Sequence, residues 1–326
     1  MQNQPFETIR IGDLGQVITG KTPPTVRPEL FGDDYPFITP TDIDRNSRLV
    51  ETERFLSEEG RLFQKKLLLP KGTVCFTCIG ATIGKICITN QPSFTNQQIN
   101  SIVVDQAHHD ELFVCYLMKH NAPRVKAIAG GAATPIVSKS AFCEIEVTVP
   151  PLPIQHKIAG VLSAYDDLIE VNTRRISILE QMAQSVYREW FGKVDDKSLP
   201  DEWKIQTMQE VAEVIDCLHT KKPSHVDNGV GILLQLNNIG ENGKLDLTKK
   251  FLLSKEDYIL WTSRIEASQG DCVVTNVGRV AAVAQIPVGI KAALGRNMTG
   301  IRPKVITPTY LIEFLFNTFA KSRVKK

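Results

Sequence analysis

The chain has 326 residues, 42% hydrophobic and 23% charged, with a net charge of +2; this is globular composition with length for two or three domains, and any polyanion would have to be held by local basic patches. No apolar run approaches the ~20 residues a bilayer span needs, and MQNQPFETIR has no signal-type apolar stretch, so no membrane partner and a cytoplasmic setting are expected. The seven scattered cysteines, an odd number, fit reduced thiols better than a disulfide framework.

The first distinctive stretch, GQVITGKT at residues 15–22, matches the phosphate-loop pattern G-x-x-x-x-G-K-[ST]. Phosphate binding there needs a helix starting at the Lys-Thr, and Pro23 and Pro24 forbid one. The spacing of Ile11, Leu14, Val17 and Ile18 instead predicts a short helix ending near Thr19 and Gly20. An apolar strand with a polar end follows in YPFITPTDI, then a helix capped by Ser57. Strands are predicted over residues 72–79 and 85–89, with Gly80 and Gly84 at the turn, and a helix over 110–119. Cys75 and Cys78 sit three apart on the first of these strands and so face opposite sides; they read as structural, and no metal or cofactor is expected. His108 and His109 read as a surface pair.

Residues 151–192 form the connector. Ile158, Leu162, Tyr165, Ile169, Asn172, Ile176, Leu179, Ala183, Val186 and Trp190 follow an unbroken 4,3 spacing, the pattern of a coiled-coil seam with one polar position. At ~1.5 Å per residue the stretch from Ile158 to Trp190 extends about 50 Å. A seam needs a second helix, supplied by another chain or by a longer form.

Residues 193–326 repeat residues 1–150. DIDRNSRLVETERFL (42–56) aligns without a gap with NIGENGKLDLTKKFL (238–252), and KGTVCFTCIG (71–80) with QGDCVVTNVG (269–278). The second copy again predicts an opening helix near EVIDCLHTKKP (213–223), which keeps Lys and Pro but lacks both loop glycines. It continues with a strand in GILLQLNNI, a helix after Ser254, strands over 271–277 and 280–286, and a helix over 310–319. The expected architecture is α+β: two repeated mixed α/β domains, 1–150 and 193–326, joined by a coiled-coil helix over 151–192, the second copy stopping before its counterpart of AIAGGAATPIVSKSAF.

The segments FITPTDI, LPKGTVCFTCIGATIGKICI, FTNQQIN, GGAATPIVSKSAF and VPPLPIQHKIAGVLSAYDDLIEVNTRRISILEQMAQSVYREWF resemble the specificity subunits of Type I restriction–modification systems. The resemblance covers nearly the whole chain, except for the family's second conserved helix and the tail of its second domain. It implies two target-recognition domains, each reading half of a split double-stranded DNA site. It also implies conserved helices that set the spacing and dock two methyltransferase subunits, which restriction subunits join. Self-association through the spacer helix is a weaker expectation. The alternative is a coiled-coil adaptor whose repeated domains bind protein or glycan.

Base-edge reading needs forked or two-ended side chains. In the first copy the candidates are Thr41, Asn96, Gln97, Gln98 and Asn100, with Lys21, Arg45, Lys85 and Lys139 for phosphate. The second offers Gln235, Asn237, Asn238, Asn276, Arg279, Arg296 and Asn297, with Lys221 and Lys222 for phosphate. Residues 130–134 read as a loop at the DNA or the partner. No catalytic motif is evident beyond the decoy phosphate loop, so the chain is expected to be a non-catalytic subunit.

Overall fold

The structure, a computed structural model, describes residues 6–43, 50–129, 135–192, 199–240 and 243–323, with side chains described to residue 318. Arg45 and the 130–134 loop lie outside the described residues. The chain divides into two compact units, residues 1–176 and 177–326.

The first unit opens with β1 (Glu7–Arg10), a single 3-10 turn at Ile11–Leu14, and β2 (Gly15–Thr19). The expected opening helix is therefore a turn followed by a strand. The turn alone satisfies the Ile11 and Leu14 spacing, both being fully buried, and β-branched Val17 and Ile18 favour the pleated surface beyond it. The loop glycines also have a structural reason. A Cβ at Gly15 would come within 2.1 Å of the Val103 carbonyl oxygen, and one at Gly20 within 2.2 Å of the Thr95 carbonyl oxygen. They let strands pass closely, not a phosphate.

Next come β3 (Phe31–Gly32), β4 (Tyr35–Ile38), β5 (Phe55–Leu56) and α1 (Glu58–Phe63), whose cap Ser57 accepts from the Gly60 amide. β6 (Val74–Thr77), β7 (Ile86–Ile88), β8 (Phe94–Thr95) and β9 (Ile99–Val104) follow. Two sheets result: antiparallel β2-β9-β6-β7, and β3-β5-β4-β8 with a parallel β4–β8 pair. α2 (Glu111–Ile128) is capped by Asp110 and runs nine residues past its expected end, through Pro123; buried Val125 carries it on at the loss of one backbone bond. α3 (Lys139–Cys143) and β10 (Glu146–Val149) close the unit, β10 pairing antiparallel with β1. Phe76, Phe113, Met118, Phe142, Val147 and Cys78 share one core cluster, whereas Cys75 belongs to another with Ile38, Cys87 and Ile99. The two cysteines of the C-x-x-C thus do face apart. His109 departs from the surface reading: it is buried beside Gln155, while His108 is exposed.

α4 (Leu152–Phe191) is one continuous 40-residue helix that begins in the first unit and ends in the second. Buried Gln155 fastens its start, accepting from the Asp110 amide at 3.0 Å and donating to the Pro150 carbonyl at 2.8 Å. The Tyr116 hydroxyl donates to Asp166 at 2.8 Å. Ile158 packs on the first core, but Leu162, Tyr165, Ile169, Asn172, Ile176, Leu179, Val186 and Trp190 are exposed. The apolar seam is therefore uncovered among the described residues. Within the second unit, Tyr187 and Phe191 of α4 meet Tyr310, and Phe191 meets Trp203.

The second unit contains α5 (Met208–Val211), β11 (Ala212–Asp216), β12 (Gly231–Leu234), β13 (Phe251–Leu253), α6 (Lys255–Trp261), β14 (Cys272–Thr275), β15 (Val283–Gln285), β16 (Ala292–Leu294), β17 (Met298–Pro303) and α7 (Pro308–Arg323). Its opening helix is one turn long; residues 212–216, expected as helix, pair with β17 as a strand. Its sheets, β11-β17-β14-β15 and β13-β12-β16 with a parallel β12–β16 pair, repeat the two larger sheets of the first unit strand for strand apart from β3, and the β1–β10 pair has no counterpart among the described residues. Ser254 caps α6 as Ser57 caps α1. The sequence repeat is thus a repeat of fold, and the chain is two mixed α/β units joined by a long helix.

Among the described residues, one feature belongs to the second unit alone. Arg302 holds the buried Asp271 carboxylate with two hydrogen bonds of 2.9 and 2.6 Å, and also donates to the Glu266 carbonyl. Arg302→Met removes the partner and leaves a buried charge. The expected cost is about 2–3 kcal/mol, less than the ~3–5 of a fully buried pair because the guanidinium is partly exposed. Thermal unfolding should show the second unit melting roughly 5–10 °C lower; an unchanged melt would show that Asp271 finds compensation elsewhere.

Candidate nucleic-acid interface

In the first unit the β8–β9 turn, residues 95–98, gathers three candidates. The Asn96 side-chain Oδ1 accepts from the Gln98 backbone amide at 3.0 Å, and its Nδ2 donates to Gln98 Oε1 at 3.2 Å. Gln97 stands exposed at the tip, its Oε1 accepting from the Thr22 hydroxyl at 2.8 Å. The Lys21 amide donates to the Thr95 carbonyl at 3.0 Å, which brings the exposed Lys21 to the same turn. The Asn96 amide donates to the Ile38 carbonyl at 3.1 Å, and so sets the Thr39–Pro40–Thr41 segment alongside. Thr41 is exposed, bonded to Thr39 at 2.8 Å; Lys85 is half-buried, its ammonium on the Pro40 carbonyl at 2.8 Å.

Backbone bonds also link Gln98 to Cys78 and Cys78 to Val137, two residues before the exposed Lys139. Asn100 has a different environment. It is buried within β9, accepting from Thr19 at 2.7 Å and donating to the Cys78 sulfur at 3.2 Å. Its amide is occupied inside the sheet.

The second unit builds the matching turn at residues 294–297. The Gly295 amide donates to the Leu234 carbonyl at 2.8 Å as Asn96 does to Ile38, and the Asn276 amide donates to the Asn297 carbonyl at 2.8 Å as Cys78 does to Gln98 at 2.7 Å. Arg296 therefore occupies the place of Gln97, and Asn297 that of Gln98. Asn297 has φ +64°, a left-handed conformation that asparagine tolerates better than most residues. Exposed Arg296 borders a cavity of about 300 Å³ with Lys222, Gln235, Asn237 and Trp261.

Lys222 donates to Gln235 Oε1 at 3.3 Å and lies 4.6 Å from the Phe251 ring centroid, a cation–π contact. Lys221 and Asn237 are exposed. Exposed Asn276 bonds Thr299 at 3.0 Å, and exposed Arg279 donates to the Gly240 carbonyl at 2.9 Å. Asn238 is buried and fully engaged: it accepts from the Gln235 amide and donates to the Asp246 and Lys249 carbonyls.

Asn96 is itself buried, but the exposed Gln97, the half-buried Gln98 and Asn297, the Arg296 guanidinium and the lysine ammonium groups can hydrogen-bond base edges and hold phosphates. Sequence reasoning passed over Thr22 and Trp261. Thr22 lay inside the decoy motif, and Trp261 carried no signal beyond an apolar position on a short helix.

Residues 3–181 match the family model for the Type I restriction modification DNA specificity domain. The MjaIX specificity subunit of a type I restriction enzyme from Methanocaldococcus jannaschii is 31% identical over 225 residues, covering 64% of this chain and 52% of its own. The HindI specificity subunit from Haemophilus influenzae is 38% identical over 162 residues, covering 48% of this chain and 35% of its own. The chain thus matches about half or less of the length of these relatives. The crystal structure of a Type-I restriction-modification system S subunit from M. genitalium superposes with a TM-score of 0.58 at 16% identity, covering 100% of this chain and 80% of that one, a likeness of fold.

Proposed function

Because the chain belongs to the Type I restriction–modification DNA specificity family, we propose that it reads a bipartite double-stranded DNA site, one half with each unit. In this reading it is the non-catalytic recognition subunit of a cytoplasmic complex, and methyltransferase and restriction subunits supply the chemistry. The observation that carries the reading is the repeated turn: equivalent backbone bonds present Gln97 and Gln98 in one unit and Arg296 and Asn297 in the other. Two readers of one fold with different side chains at one position suit a target of two unlike halves. The base contacts are assigned to these four residues with Asn237. Lys21, Lys139, Lys221 and Lys222 are assigned to phosphates, which fix register without carrying sequence information. The exposed seam of α4 is assigned to helices of the methyltransferase subunits, with pairing between two copies as the weaker route.

The test is co-expression with methyltransferase subunits and genome-wide mapping of modified sites. Changing Gln97 and Gln98 together to Ala should relax one half-site only, by about 1–3 kcal/mol per lost bidentate contact. A simultaneous change in both halves, or modification without sequence preference, would defeat the assignment.

A further inference from the structure

We propose that Asp216, Cys217 and His219, at the end of β11, form a binding site for a thiophilic divalent cation of the zinc class. The three donor atoms lie within 4.8 Å of one another. His219 Nε2 is 2.7 Å from Asp216 Oδ2 and 3.9 Å from Cys217 Sγ. Zinc–ligand bonds of about 2.0–2.3 Å set tetrahedral donors roughly 3.3–3.6 Å apart. The observed separations bracket that range, so small side-chain rotations suffice. One sulfur, one imidazole nitrogen and one carboxylate oxygen are a donor set suited to zinc or cobalt and poorly suited to magnesium or calcium. Three protein ligands leave the fourth position to water.

The repeat supplies an independent argument. The Cys217 amide donates to the Met298 carbonyl at 3.1 Å, as the Gly20 amide donates to the Ile99 carbonyl at 3.2 Å, so the two turns correspond. The first unit builds its turn with Thr19, Gly20 and Thr22 in the places of Asp216, Cys217 and His219. The fold therefore does not require these donors; they are particular to the second unit. Arg264 donates to the Cys217 carbonyl at 2.9 Å, which fixes the backbone that carries the sulfur. Binding displaces the thiol proton and requires the imidazole to carry its remaining proton on Nδ1. The consequence is positional: Lys221 and Lys222 begin two residues beyond His219, so a bound cation would anchor the segment that carries them to the cavity beside Arg296.

The test is titration of the full chain with Co²⁺ after chelator treatment, under a non-thiol reductant. The expected result is one equivalent per chain, with a near-ultraviolet thiolate-to-cobalt charge-transfer band and tetrahedral visible bands, all displaced by Zn²⁺. Cys217→Ser and His219→Ala should each abolish the band, and Asp216→Asn should weaken binding about tenfold or more. His219 is exposed, so its variant should melt like the metal-free wild type and isolates ligation from folding. Absence of the band in the wild type, or a band unchanged in His219→Ala, would overturn the site.

Discussion

A complex reconstituted with Arg296→Gln is expected to keep the first half of its target and lose guanine selectivity at one position in the second. Arginine pairs bidentately with guanine O6 and N7, whereas glutamine suits adenine N6 and N7, and each such pair discriminates by about 1–3 kcal/mol, roughly 5- to 150-fold. Arg296 is the sharpest position because it is exposed and shares the cavity with Lys222, Gln235 and Asn237. The reciprocal change, Gln97→Arg, should favour guanine in the first half-site. The readout is the sequence logo of modified sites for each variant beside the wild type. Arg296→Gln leaving the logo untouched would remove this turn from the reading surface. A shift in both halves would mean that the units do not read independently.

The second large effect is expected on the long helix. Leu162, Ile169, Ile176, Leu179 and Val186 form an exposed apolar stripe on α4, the surface proposed above for docking. Placing a carboxylate in an apolar seam costs several kcal/mol once the seam is covered. Leu179→Asp should therefore weaken capture of the methyltransferase subunit at least about tenfold, while leaving the melting of the isolated chain unchanged because Leu179 already faces solvent. Sedimentation of the wild-type chain should show concentration-dependent association that the variant lacks. A wild-type monomer at micromolar concentration, with a methyltransferase affinity indifferent to the new charge, would rule out the seam as a docking surface.

Long-range order was more legible in the sequence than local conformation. The repeat, the 40-residue helix, the Ser57 and Ser254 caps and the split orientation of Cys75 and Cys78 all followed from periodicity, alignment and capping chemistry. In the first unit Ile11 and Leu14, three apart, fit one 3-10 turn as well as a helix, and only the pairing partner β9 decides for a strand; β17 decides in the same way for the second. The candidate site was legible as residue types and only partly as positions. Asn100 and Asn238 carry the right amides, but the sheet and a neighbouring loop consume their hydrogen bonds. Burial of that kind depends on contacts distant in sequence. His109 shows the same limit, since the helix residue Gln155 that accompanies its burial lies 46 positions away.

The pairing of β1 with β10 makes Glu7 the register partner of Val149. The chain therefore enters and leaves this fold at neighbouring points, immediately before α4 begins at Leu152. A module whose ends meet can be exchanged for another of the same fold without disturbing what it is attached to. Under the proposed function, replacing the stretch between these two strands would install a new half-target in one step, provided the incoming cassette preserves one four-residue strand pair. Everything from Leu152 onward would keep its own sequence, so under the same proposal recognition could change while the docking helix stays as it is.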